Sequence, residues 1–86
     1  MFYVYLLRSV TRENWSYIGC CDDLKIRFIR HSKGDVPSTK AYRPHILVYY
    51  EAYKNKTDAR KREIELKRSA VKKQELLKRV ENSLKK

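Results

Sequence analysis

Residues 2–20, FYVYLLRSVTRENWSYIGC, decide the fold. Tyr3 to Leu7 is rich in aromatic and β-branched residues, Trp15 to Cys20 is a second such stretch, and the polar link Ser9-Val10-Thr11-Arg12-Glu13-Asn14 joins them. Together they read as a β-hairpin. Side chains alternate between sheet faces, so Tyr5 and Tyr17 reach one face if the register allows. Downstream, Asp22 or Asp23 can cap a helix over about 23–33, running through Leu24, Phe28 and His31 to Gly34, a left-handed stop. Lys33 to His45, with Gly34, Pro37 and Pro44, reads as a loop. The apolar run Ile46-Leu47-Val48-Tyr49-Tyr50 suits a strand covered on both faces. Thr57 is a cap candidate for a helix to about Lys67. Ser69 then starts another over Ala70 to Leu84, whose Leu76, Leu77, Val80 and Leu84 form one stripe. The expected order is β-β-α-β-α-α, an α/β or α+β domain of three strands with helices packed on them.

The chain has 86 residues, so one domain (1–86, core about 2–80, basic tail 81–86, frayed at Lys85-Lys86) exhausts it. A chain of this size buries roughly 60% of its unfolded surface, so any site lies in a shallow groove. Apolar content of 42% against 36% charged residues is enough for a packed interior. Lys and Arg outnumber Asp and Glu by 21 to 10, and self-repulsion at +11 points to a polyanionic partner, nucleic acid first. The excess is uneven: 8 basic against 5 acidic side chains over residues 1–53, and 13 against 5 over 54–86. The opening apolar run ends at Arg8, too short to span a bilayer and lacking a signal-peptide pattern, and a soluble intracellular protein is expected. Cys20 and Cys21 are adjacent, where a mutual disulfide would be strained, and no further Cys completes a zinc set. Reduced thiols fit the cytoplasm.

On a helical wheel Ala59, Glu63, Leu66 and Ala70 share the stripe that otherwise faces a core, so Glu63 points inward. A buried carboxylate needs a cation, a metal or a cluster of donors, and an edge-of-core Glu paired with a basic side chain satisfies the wheel equally well. Glu65 lies off the stripe and should be solvated. Arg27 and His31, four apart, are neighbours on one helix face. A guanidinium forks onto phosphate and an imidazole titrates near neutrality, so the pair suits charge stabilisation and proton transfer. Among seven tyrosines, Tyr5 and Tyr17 are the two whose hydroxyls can converge. Tyr42, Tyr49, Tyr50 and Tyr53 read as packing residues, with base stacking as the lesser alternative. Ile26 and Ile29 lie away from the Leu24/Phe28 stripe and mark a contact surface or ordinary exposed apolar residues.

Tyr3-Val4-Tyr5, followed by Tyr17-Ile18-Gly19, resembles the paired signature of the GIY-YIG nuclease family. Arg27-x-x-x-His31, the Gly34 helix end, the Thr39 loop, Pro44 before Ile46-Leu47-Val48-Tyr49, and Ala59-x-x-x-Glu63 extend the likeness over about residues 2–80. The chain is most similar to the small stand-alone bacterial and archaeal members, related to the N-terminal domain of UvrC-type repair nucleases. The resemblance implies a three-stranded antiparallel sheet flanked by helices and one carboxylate, Glu63, holding Mg²⁺ or Mn²⁺. It implies nucleophile-side proton and positioning roles for Tyr5 and Tyr17, scissile-phosphate contact for Arg27, and a supporting proton-transfer or phosphate contact for His31. Arg27, Lys40, Arg43, Arg60 and Lys67 are the expected nucleic-acid contacts. In several nucleases of the family a Lys follows the second Gly, whereas Cys20 stands here, and the Asn that ends the motif set in some relatives is absent.

The expected function is a metal-dependent endonuclease, a hydrolase of DNA phosphodiesters selecting structure rather than sequence, in DNA repair or recombination. The alternative is an inactive scaffold that binds nucleic acid. A third account has the basic C-terminal helix docking an acidic protein.

Overall fold

The computed structural model describes residues 1–85, ordered as β1 (Phe2–Ser9), β2 (Ser16–Cys21), α1 (Leu24–Lys33), α2 (Pro37–Lys40), β3 (His45–Tyr53), α3 (Lys56–Arg68), α4 (Ala70–Arg79) and α5 (Glu81–Leu84). The three strands form one antiparallel sheet in the order β2-β1-β3. β1 is central because four successive residues, Val4, Tyr5, Leu6 and Leu7, are apolar or aromatic and can be buried on both faces. β3, expected to be the strand covered on both sides, is instead an edge strand with Ile46, Tyr50 and Ala52 exposed. An apolar run is compatible with either place, and the pairing of β1 with both of its neighbours decides it. A bulge in β3 falls where Leu6 pairs with Tyr49 and Leu7 with Leu47, which twists that edge.

Alternation sorts the side chains into two cores. Val4, Leu6 and Ile18 lie with Ala59, Leu66, Leu76 and Val80 of the C-terminal helices. Tyr5, Leu7 and Cys21 lie on the opposite face, where Leu24 and Phe28 of α1 pack on them. Burying each such aliphatic side chain contributes about 1.5–3 kcal/mol.

The capping chemistry fixes α1 closely: Asp23 Oδ1 accepts from the Ile26 N–H at 3.0 Å, and Gly34 closes the helix at φ 82°. Other boundaries differ from expectation. Asn55, not Thr57, caps α3, its side-chain carbonyl oxygen accepting from the Thr57 N–H. The stretch 33–45 holds a helical turn, α2, started by Pro37 in the first-turn position proline favours. The single helix expected over 70–84 breaks at Val80, so α4 and α5 are separate, and the full order is β-β-α-α-β-α-α-α. Leu84 packs against the core, so 81–84 belongs to the fold rather than to a tail. Lys85 is extended, and the fraying expected at Lys86 lies outside the described residues.

Candidate active site

The register pairs Tyr5 with Gly19 and Leu7 with Tyr17, so both phenols stand on the α1 face. Their ring centroids are 6.4 Å apart. The second glycine of the motif is required by space. A β-carbon on Gly19 would come within 2.3 Å of the Tyr5 ring and hydroxyl, because the phenol lies over the glycine's α-carbon. Tyr5 is thereby sealed at 1% exposure, whereas Tyr17 keeps partial access to solvent. Burial, then the neighbouring Tyr17, pushes the Tyr5 pKa up, and Arg27 pulls against both by charge and hydrogen bonding.

His31 is completely buried beneath this pair. Its Nε2 and the Tyr5 hydroxyl share a hydrogen bond of 2.7 Å, and its Nδ1 shares another of 2.7 Å with Thr39 Oγ1. Burial, reinforced by His45, Arg27 and Arg30, pushes its pKa down to about 4, so the ring is neutral at pH 7. With both nitrogens engaged and the ring fully buried, His31 has no nitrogen open to a phosphate, contrary to the phosphate contact expected of it. His45 Nε2 donates to the Thr39 carbonyl at 2.9 Å, which holds α2 against β3.

Glu63 points inward, 8% exposed, between Ala59 and Leu66 of the core. It is also ion-paired: Arg60 Nη1 lies 3.2 Å from Oε1 and Lys67 Nζ lies 3.2 Å from Oε2. Lys67 stands 5.4 Å above the Tyr17 ring. A cation from α3 therefore stands near the second tyrosine, although Cys20 itself carries none. Cys20 and Cys21 are free thiols; burial raises both, with Glu63 adding to Cys20, and Cys21 is pushed up to about 11. Glu65 is half-exposed, as its wheel position requires, and pairs with Arg62 at 2.5 Å.

Of the other expected nucleic-acid contacts, Lys40 and Arg43 line an open cleft of about 530 Å³ that also borders Phe28 and His45. Arg43 commits its guanidinium to backbone carbonyls, Lys40 O at 3.0 Å and Lys33 O at 3.3 Å, where it braces the end of α1. An aromatic stack continues from Tyr17: Trp15 is parallel to it at 6.4 Å and to Tyr42 at 4.4 Å. Sequence reasoning missed the partnership of Thr39 and His45 with the site and the approach of Lys67 to Tyr17. The Thr39 motif position was the one available signal, and its geometry depends on α2. Ile26 and Ile29 are exposed on the outer side of α1.

A single carboxylate that keeps slight access to solvent, as Glu63 does, fits a hard divalent ion that keeps waters and takes substrate oxygens as further ligands. Among the described residues no group of three or more His, Cys, Asp or Glu side chains could form an all-protein cage. Likewise, no helix among them is long and apolar enough to cross a membrane.

The antiparallel β2-β1-β3 sheet and the side chains gathered around β2 define a small α+β catalytic domain. The family model of the GIY-YIG catalytic domain matches residues 1–85, and the chain belongs to that family. Membership implies nuclease chemistry with nucleic acid as substrate. The chain is 38% identical over 66 residues to UPF0213 protein SERP0126 of Staphylococcus epidermidis, covering 76% of this chain and 78% of that one. It is 40% identical over 67 residues to a UPF0213 protein of Pediococcus pentosaceus, covering 77% and 68%. UPF0213 protein SSP2268 of Staphylococcus saprophyticus is 36% identical over 66 residues, 76% of this chain and 78% of the relative. No solved structure gives a significant match.

Proposed function

We propose that the protein is a divalent-metal-dependent endonuclease that hydrolyses DNA phosphodiester bonds and selects its substrate by shape. The observation that carries this reading is Glu63, an acid turned into the molecule beside Cys20 and linked through Lys67 to Tyr17. Glu63 would hold Mg²⁺ or Mn²⁺, which supplies Lewis-acid stabilisation of phosphoryl oxygens when bound. Arg27 faces the scissile phosphate and stabilises the charge that builds during in-line attack by water. Tyr17, the more accessible phenol, orients that water. Tyr5 and His31 form the polar floor behind it. Arg60 and Lys67 exchange Glu63 for phosphate as substrate arrives, and Lys40 adds a contact from α2. Lysine and arginine ends read phosphates rather than bases, which favours branched or distorted DNA over a sequence and suits repair or recombination. Two free thiols suit a reducing cytoplasm.

The test is a panel of branched and duplex DNAs with Mg²⁺ or Mn²⁺. Wild type is expected to nick branched substrates, and Glu63→Ala to lose cleavage while keeping binding. Equal residual activity in both proteins would refute the reading. One observation favours a second reading, a scaffold that only binds nucleic acid: both Glu63 oxygens are already matched by cations. That reading expects salt-sensitive binding, log K falling with log[salt] by roughly 0.9 per phosphate contacted on duplex, with no metal-dependent products.

A further inference from the structure

Behind Tyr5 runs a buried chain of polar atoms that ends on a carbonyl. Thr39 Oγ1 lies 3.4 Å from Val36 O and 2.7 Å from His31 Nδ1, and His31 Nε2 lies 2.7 Å from the Tyr5 hydroxyl. Tyr5, His31 and Thr39 are all at 1% exposure or less, so water does not complete these bonds. The Val36 carbonyl can only accept, and Arg27, the hydrogen-bond partner of Tyr5 at the other end, can only donate; both ends therefore favour a Thr39 hydroxyl that donates to the carbonyl and offers its lone pairs to the imidazole. Nδ1 then carries the ring proton. In a neutral imidazole that leaves Nε2 bare, so the Tyr5 hydroxyl donates inward. An acceptor at one end of the chain and a donor at the other thus set one direction for three successive hydrogen bonds.

We propose that Thr39 is a positioning residue: it holds His31 in the Nδ1–H tautomer, which makes Tyr5 a donor to the interior and an acceptor towards Arg27. This deepens the nuclease reading and rests on it for its functional meaning. A Tyr5 oxygen that donates inward keeps its lone pairs for the Arg27 guanidinium, which it holds in place beside Tyr17, the phenol that meets the water. A Tyr5 that donated outward would not hold it. No proton changes hands in this arrangement. The groups facing the ring are Tyr5 from β1, Tyr17 from β2, Arg27 and Arg30 from α1, Thr39 from α2 and His45 from β3. Of these only Thr39 reaches Nδ1. The His45 ring approaches edge-on at 5.9 Å and directs its own Nε2–H to the Thr39 carbonyl, which holds Thr39 in place from its other side.

The experiment reads the ring nitrogens of His31 in ¹⁵N-labelled protein by long-range proton–nitrogen correlation, beside cleavage of branched DNA. The Nδ1–H tautomer is expected in wild type and in Thr39→Ser. In Thr39→Val, which keeps shape and removes the hydroxyl, the Nδ1–H population falls and kcat drops at least about tenfold with KM little changed. A wild-type ring protonated on Nε2 overturns the proposal whatever the variants do, as does an unaltered tautomer in Thr39→Val. If wild type cuts none of the DNAs, the nuclease reading fails, while the tautomer measurement still decides the part played by Thr39.

Discussion

Gly19 is held to glycine by the phenol that lies on it. Its backbone would accept other residues, but any β-carbon meets the Tyr5 ring. Gly19→Ala therefore pushes Tyr5 off His31, and the expected result is a loss of about 1–3 kcal/mol of stability, read by thermal melting, with cleavage nearly abolished. Arg27 works differently, because it is only half-buried and is not part of either core. Arg27→Ala is expected to slow single-turnover cleavage by about 10²–10³ while melting within a few degrees of wild type. Both residues are legible in the sequence as motif positions. What is not legible is why Gly19 must be glycine, since the ring that excludes a side chain comes from the neighbouring strand.

At the scale of elements, α3 joins the two halves of the site. It buries Ala59 and Leu66 and carries Glu63 on the same stripe, so the packing of the helix also aims the acid. A second tie anchors it to β3: Arg62 Nε contacts both Glu51 oxygens at 3.1 and 3.0 Å, and the Tyr53 hydroxyl donates to Glu51 at 2.5 Å. Burial raises the Glu51 pKa, but these hydrogen bonds outweigh it and hold the carboxyl below its usual range. Arg62→Ala removes the carboxylate's cation and leaves it to the tyrosine hydroxyls. The expected cost is about 2 kcal/mol, under the 3–5 of full burial, and a melting temperature lower by about 10 °C. The spans of α1 and α3 follow from local chemistry, since their caps and apolar stripes are written in residues a few positions apart. The place of β3 does not, because edge and centre differ only in which strands pair beside them.

For the whole molecule, the buried neutral His31 links stability to pH. Its pKa is lowered from 6.5 to about 4 in the fold, so the unfolded chain binds a proton that the folded one excludes between those values. The contribution is complete above pH 6.5 and is lost as the pH falls towards 4. Its full size is on the order of 3 kcal/mol. Denaturant melts of wild type and His31→Gln at about pH 7 and about pH 4.5 are expected to show wild type losing more on acidification. Parallel losses would mean that the ring is not excluded from protonation.

The order of the main elements, the stop of α1 at Gly34, the inward acid and the basic character of the chain were determined by the sequence alone. Each depends on neighbours within a few residues or on composition, where periodicity, capping and net charge act directly. Only tertiary structure decided that β1 is central, that α2 forms, that Lys67 covers Tyr17 and that Thr39 meets His31. These are contacts between elements distant along the chain, fixed by the pairing of strands and the docking of helices, and no local preference encodes them.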